Sequence, residues 1–156
     1  MVKIPHSIKE FVETQGIIVV GTIGGETISN ISPRIFFVVE EDSIYWLDFF
    51  KHKSYKNMQI NSWVTVSVFD KEDLNGFQFR GVVSFITDEP IRTEIKDMII
   101  KKTLREFPSN KKVEALSRRD AQIIQFEPRV CYSLNPEEYT DMCIGSDIDS
   151  TQIFEK

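Results

Sequence analysis

The residue types best suited to chemistry sit together at Lys51, His52, Lys53 and Ser54: two ammonium groups, an imidazole and a hydroxyl in four consecutive positions. The run before them, Ile44, Tyr45, Trp46, Leu47 and Asp48, alternates like a strand, and a short helix carrying Tyr55, Met58 and Ile60 follows. A strand that delivers cations to a helix N-terminus is a natural anion site. N–H groups without intrahelical partners and the positive end of the helix dipole both favour an anion, and lysine adds a full charge. A phosphate is the expected occupant. On spacing alone Lys51, His52 and Lys53 are better read as a solvated loop, and favouring the phosphate takes a further observation.

Other chemistries find less support. Cys131 and Cys143 are too few and too far apart for a zinc framework, and His6 and His52 show no metal-ligand spacing. The cysteines read as inert thiols, and metal catalysis has no support. No catalytic triad or carboxylate pair stands out. The net charge of -5 lacks the basic field of a general nucleic-acid binder. No apolar run approaches the roughly 18 residues of a membrane span, and the first residues lack the apolar core of a signal peptide, so a cytoplasmic protein without membrane partners is expected. The 156 residues suit one domain.

The elements that must position the basic corner are largely β. Ser7 and Glu10 have the spacing of a capping box for a first helix that Gly16 would stop. Residues 17–23 form an apolar, β-branched run expected to be a strand buried on both faces, with Gly24 and Gly25 as a tight hairpin turn. A long second strand over 27–39 is interrupted at Pro33, which belongs at an edge, a bulge or a barrel mouth. Val64, Val66 and Val68 share one face of the next strand, and a polar turn joins it to 77–86, with Gly81 marking a bend or close approach. The period then becomes helical, with Ile91, Ile95, Met98 and Ile99 on one face up to about residue 106. A further helical turn or two is expected over 111–119, with Val113 and Leu116 inward. A last strand over 121–134 contains Pro128, again at an edge or bulge. The expected architecture is mainly β, a small antiparallel split β-barrel of Greek-key type with a few peripheral α-helices, spanning 1–140 and followed by an acidic, flexible tail at 141–156.

Three motifs in this order resemble the FMN-binding split barrel family, relatives of pyridoxamine 5'-phosphate oxidase, over about residues 4–90. They are Asn30-Ile31-Ser32-Pro33-Arg34, then Tyr45-Trp46-Leu47-Asp48 followed by Lys53-Ser54 and Asn57, then Gly76-Phe77-Gln78-Phe79-Arg80-Gly81. The resemblance implies a homodimer with FMN at the subunit interface. Lys53 and Ser54 would hold the phosphate with help from Arg34 or Arg80. Ser32, Pro33, Leu47, Asp48 and Phe49 would line the isoalloxazine, and Gln78 would reach the ring or ribityl chain.

The arginine-rich C-terminal signature of true pyridoxamine phosphate oxidases is not recognisable, and Glu127-Pro128-Arg129-Val130 is a poor substitute, so vitamin B6 chemistry is not implied. The leading expectation is an FMN-dependent oxidoreductase or flavin reductase, taking hydride from NAD(P)H and acting on an unidentified small molecule. The alternatives are a flavin-binding or redox-sensing module without turnover, and a relative that uses deazaflavin or heme, an option that His52 keeps open.

Overall fold

The computed structural model describes residues 2–138 and 143–148. The described elements run α1 (His6–Gln15), β1 (Ile18–Thr22), β2 (Asn30–Arg34), β3 (Phe37–Val39), β4 (Ile44–Asp48), α2 (Lys53–Ile60), β5 (Trp63–Asp70), β6 (Asn75–Ile86), α3 (Ile91–Glu106), α4 (Lys111–Ser117), β7 (Gln122–Ser133) and β8 (Cys143–Ser146). The strands pair antiparallel in the order β2-β1-β5-β6-β7-β4-β3, and β8 adds to β7. The two ends of that order, β2 and β3, follow one another in the chain with only Ile35 and Phe36 between them. Three residue steps reach at most about 10 Å, so the sheet must curl until its ends meet. No ladder joins β2 to β3 among the described strands. The fold is therefore mainly β, an antiparallel sheet curled into a split barrel, as the sequence led us to expect.

Two apolar cores explain which strands alternate and which do not. The barrel interior holds Val20, Phe37, Ile44, Trp46, Val66 and Phe126, to which α1 adds Ile8 and Val12. A second core packs α3 and α4 on the outer side of β3, β4 and β7 through Val38, Leu47, Ile95, Ile99, Val113 and Ile123. Strand β3 is thus covered on both faces, and all three of its residues are buried. Among the described residues strands β1, β2 and β5 lack such a cover, and Ile31, Trp63 and Phe69 on β2 and β5 are exposed.

Several local expectations need correction. Ser7 lies inside α1, whose N-cap is Pro5 without a side-chain cap hydrogen bond, because the helix begins two residues earlier than the Ser7–Glu10 spacing requires. Strand β1 is buried on one face only, since no described element covers its other face, and Ile17 and Ile23 are exposed. Gly24 and Gly25 do not make a tight turn, for β2 starts only at Asn30. Gly24 is instead required by close approach: a Cβ there would collide with the Asn57 side chain, which donates from Nδ2 to Thr22 Oγ1 (3.1 Å) and ties α2 to β1. The long strand over 27–39 is two strands at opposite ends of the sheet order, broken at Ile35 and Phe36 where the chain crosses the seam. On α3 the buried residues are Ile95, Ile99 and Thr103, with Ile91 and Met98 exposed.

Both strand prolines are placed as expected. Pro33 lies on β2, the sheet edge. Pro128 pairs with Gly81 at a bulge in β7, where Arg129 is the extra residue, in the gap where the β4 ladder on β7 has ended and the β8 ladder has not begun. A Cβ at Gly81 would collide with the Glu127 carbonyl oxygen, the close approach anticipated for this glycine. The 141–156 tail lies mostly outside the described residues, but Cys143–Ser146 forms β8 and is not irregular.

Candidate functional site

The inner face of β2 is polar, although the residues it faces on β1 are core residues. Asn30, Ser32 and Arg34 stand cross-strand from Thr22, Val20 and Ile18. They face the open seam, where β4 and the start of α2 supply polar partners. Ser54 takes a hydrogen bond from Asn30 Nδ2 (2.8 Å) and shares one with Ser32 Oγ (2.9 Å). Arg34 donates from Nε to Asp48 Oδ1 (2.6 Å) and from Nη1 to Ser32 Oγ (2.8 Å) and the Pro33 carbonyl (2.9 Å). The seam that no backbone ladder closes is thus bridged by side chains from β2 to β4 and α2.

A cleft of about 550 Å3 opens along this seam, within the size range of small-molecule sites. Its walls combine the polar chain just described with Phe36, Leu47, Phe49, Phe50 and Leu116, and with His52, Lys53, Tyr55 and Lys56 of the α2 corner. Lys53 has no ion-pair partner among the described residues. The N-cap of α2, His52, makes no side-chain cap, so the helix presents uncapped N–H groups beside that ammonium. Apolar walls with a few aimed polar groups and an open cationic helix start suit an anionic ligand with a flat, largely apolar body.

Asp48 is the unusual group. Its side chain is 4% exposed, and Oδ2 has no hydrogen-bond partner. Burial pushes its carboxyl up from the ordinary value, against the opposing charge and hydrogen bond of Arg34 and a weaker pull from the Trp46 indole. That indole N–H is itself buried outside hydrogen-bonding geometry. A buried acceptor without a partner in hydrogen-bonding geometry costs free energy.

Eight of the ten residues anticipated from the sequence line the cleft: Ser32, Pro33, Arg34, Leu47, Asp48, Phe49, Lys53 and Ser54. Gln78 and Arg80 do not. They project from the outer face of β6, cross-strand from Ser67 and Thr65, and Arg80 lies over the Tyr132 ring at 5.3 Å. Arg34 and Ser54 already make hydrogen bonds within the protein, whereas Lys53 and Lys56, both in the cleft lining, have no ion-pair partner among the described residues. Leu116 arrives from α4 and had no local signal; Lys56, one turn along the helix from Lys53, had one in the i, i+3 spacing. Lys51 leaves the corner altogether and lines a neighbouring cavity.

Cys131 is buried, and burial pushes its thiol up to about 12, while Cys143 is exposed. Among the described residues no group of three or more His, Cys, Asp or Glu side chains is placed to hold a metal ion, and no helix is long and apolar enough to cross a membrane.

A split barrel with a ligand-sized cleft at its seam defines the class of this protein. Residues 4–143 match the Pyridoxamine 5'-phosphate oxidase family, and the chain belongs to that family. Similar solved structures include HupZ of Group A Streptococcus (15% identity, TM-score 0.67, covering 85% of this chain and 95% of that one). The heme storage protein HutZ of Vibrio cholerae is similar at 18% identity and TM-score 0.61, covering 82% and 92%. An F420 reductase is similar at 17% identity and TM-score 0.60, covering 82% and 98%. At these identities the likeness is one of fold. None of the curated proteins matches the sequence.

Proposed function

We propose that this protein binds FMN in the seam cleft and acts as an FMN-dependent oxidoreductase on a small molecule, with NAD(P)H as the electron donor. The observation that carries the reading is Lys53, an ammonium without an ion-pair partner among the described residues, at the uncapped start of α2 in the lining of the cleft. It offers a phosphate a full charge and open N–H groups, while Leu47, Phe36 and Leu116 offer a flat ring apolar walls. Bound flavin supplies the two-electron chemistry, so the chain need supply only binding, orientation and exclusion of water.

The working form is a homodimer with the cofactor at the subunit interface. The uncovered outer face of β1, β2, β5 and β6 supports this, for it exposes Ile31, Trp63 and Phe69. Gln78 and Arg80 stand on the same face, outside the cleft of their own chain, where a second chain's cleft is within their reach only across such an interface.

A second reading is favoured by His52, which lines the cleft and offers an imidazole to a heme iron. Titration of the purified protein with FMN, with hemin and with a deazaflavin separates these readings. Saturable binding of FMN with flavin reduction by NAD(P)H is the expected result, and preferential binding of hemin with a Soret shift abolished in His52→Ala would overturn it.

A further inference from the structure

Beside the cleft lies a second cavity of about 360 Å3, lined by Asp48, Phe49, Lys51, Arg119, Asp120 and Gln122. Asp48 and Phe49 line both spaces, so the two adjoin across these residues. The lining holds two carboxylates and two cations, but they are not paired with one another. Asp48 is held by Arg34, on the cleft side. Asp120 is held by Arg92 Nη2 at 2.9 Å, with Lys96 at 4.0 Å, and these cations keep its carboxyl below the ordinary value. Both carboxylates are therefore committed to cations outside the cavity lining.

The two cations of the lining have no such partner. Neither Lys51 nor Arg119 makes an ion pair among the described residues. Each lies over an aromatic ring instead, Lys51 over Tyr55 at 5.6 Å and Arg119 over Phe50 at 4.8 Å. These contacts hold the cations in place without neutralising them. Phe50 and Tyr55 themselves line the cleft, so the cations are anchored to its rim.

We propose that this cavity is an anion pocket for the substrate, taking the carboxylate or phosphate of a small acid whose apolar body passes along Phe49 into the cleft. The substrate class follows: a compact organic anion, recognised by Lys51 and Arg119, with Gln122 available as a neutral hydrogen-bonding group. This assignment rests on the cofactor reading for the meaning of the cleft, but the anion pocket itself can be tested without the cofactor.

The test is isothermal titration of the full chain, with and without saturating FMN, using benzoate, phenyl phosphate and the neutral isostere benzamide. Benzoate or phenyl phosphate is expected to bind about ten-fold more tightly than benzamide, as two unpaired cations predict. Arg119→Ala and Lys51→Ala should each erase most of that preference, and Arg119→Ala should leave FMN affinity unchanged. Both side chains are exposed, so neither variant is expected to unfold. Equal binding of benzamide and the two anions, or an undiminished preference in both variants, would overturn the proposal. So would a loss of FMN affinity in Arg119→Ala that parallels the loss of benzoate, which would assign the cation to the cofactor. If FMN fails to bind the unaltered protein, the cofactor reading falls while the anion preference still decides the pocket.

Discussion

Arg34 Nε stands 2.6 Å from Asp48 Oδ1, and this ion pair crosses the interval of the barrel that no ladder closes among the described strands. The side chains are 14% and 4% exposed, so solvent screens the pair little. Removing one partner leaves the other buried and uncompensated, which is costlier than the net worth of the pair. Arg34→Ala should therefore destabilise the protein by about 3 kcal/mol, and the double variant with Asp48→Asn should recover part of that loss. Chemical denaturation of the three proteins measures both; an Arg34→Ala midpoint equal to the unaltered one would show that the pair does not secure the seam.

The same carboxyl sets a pH dependence. Burial raises the folded-state pKa of Asp48 above its unfolded value, despite Arg34. A carboxyl raised on folding favours the folded state most when protonated. Its stabilising contribution is present below the unfolded value near 3.8 and is lost as pH rises through the folded value. Asp48→Asn should flatten that limb of a stability-against-pH curve above pH 3.8. An unchanged slope would place the titrating group elsewhere.

Lys53→Ala should weaken FMN binding by about 1.5 to 3 kcal/mol, the range for a lost hydrogen bond to a charged group. Flavin fluorescence titration reads this directly. Ser54→Ala should act chiefly on stability, because its hydroxyl is engaged by Asn30 and Ser32. Equal FMN affinity for Lys53→Ala and the unaltered protein would detach the phosphate from α2.

The thiols provide an independent check on burial. Cys131 is enclosed in the barrel core and holds its proton at neutral pH, whereas Cys143 is exposed. Native protein should release one equivalent of chromophore rapidly with Ellman's reagent and the second only on unfolding. Rapid release of two equivalents would contradict the core placement of β7.

What the sequence revealed follows from the range of the interactions involved. The period-2 alternation of β5 and β6 and the helical period of α3 are local, and their elements lie where those patterns place them. Asn110 caps α4 by accepting from the Lys112 and Val113 N–H groups. The seam was hidden because Asn30, Ser32 and Arg34 are polar in a strand whose partners lie on β4 and α2, and only tertiary structure names those partners. Leu116 reaches the cleft from α4 for the same reason. The basic corner was legible as a unit, yet the structure divides it, sending His52 and Lys53 to the cleft and Lys51 to the adjoining cavity.

The central claim is that the seam cleft holds FMN, and the absorption spectrum of the protein equilibrated with FMN and freed of excess tests it most directly. The account predicts retained flavin bands at one FMN per chain, on a species of twice the 18.1 kDa chain mass. A protein that emerges colourless after saturation with FMN would contradict it.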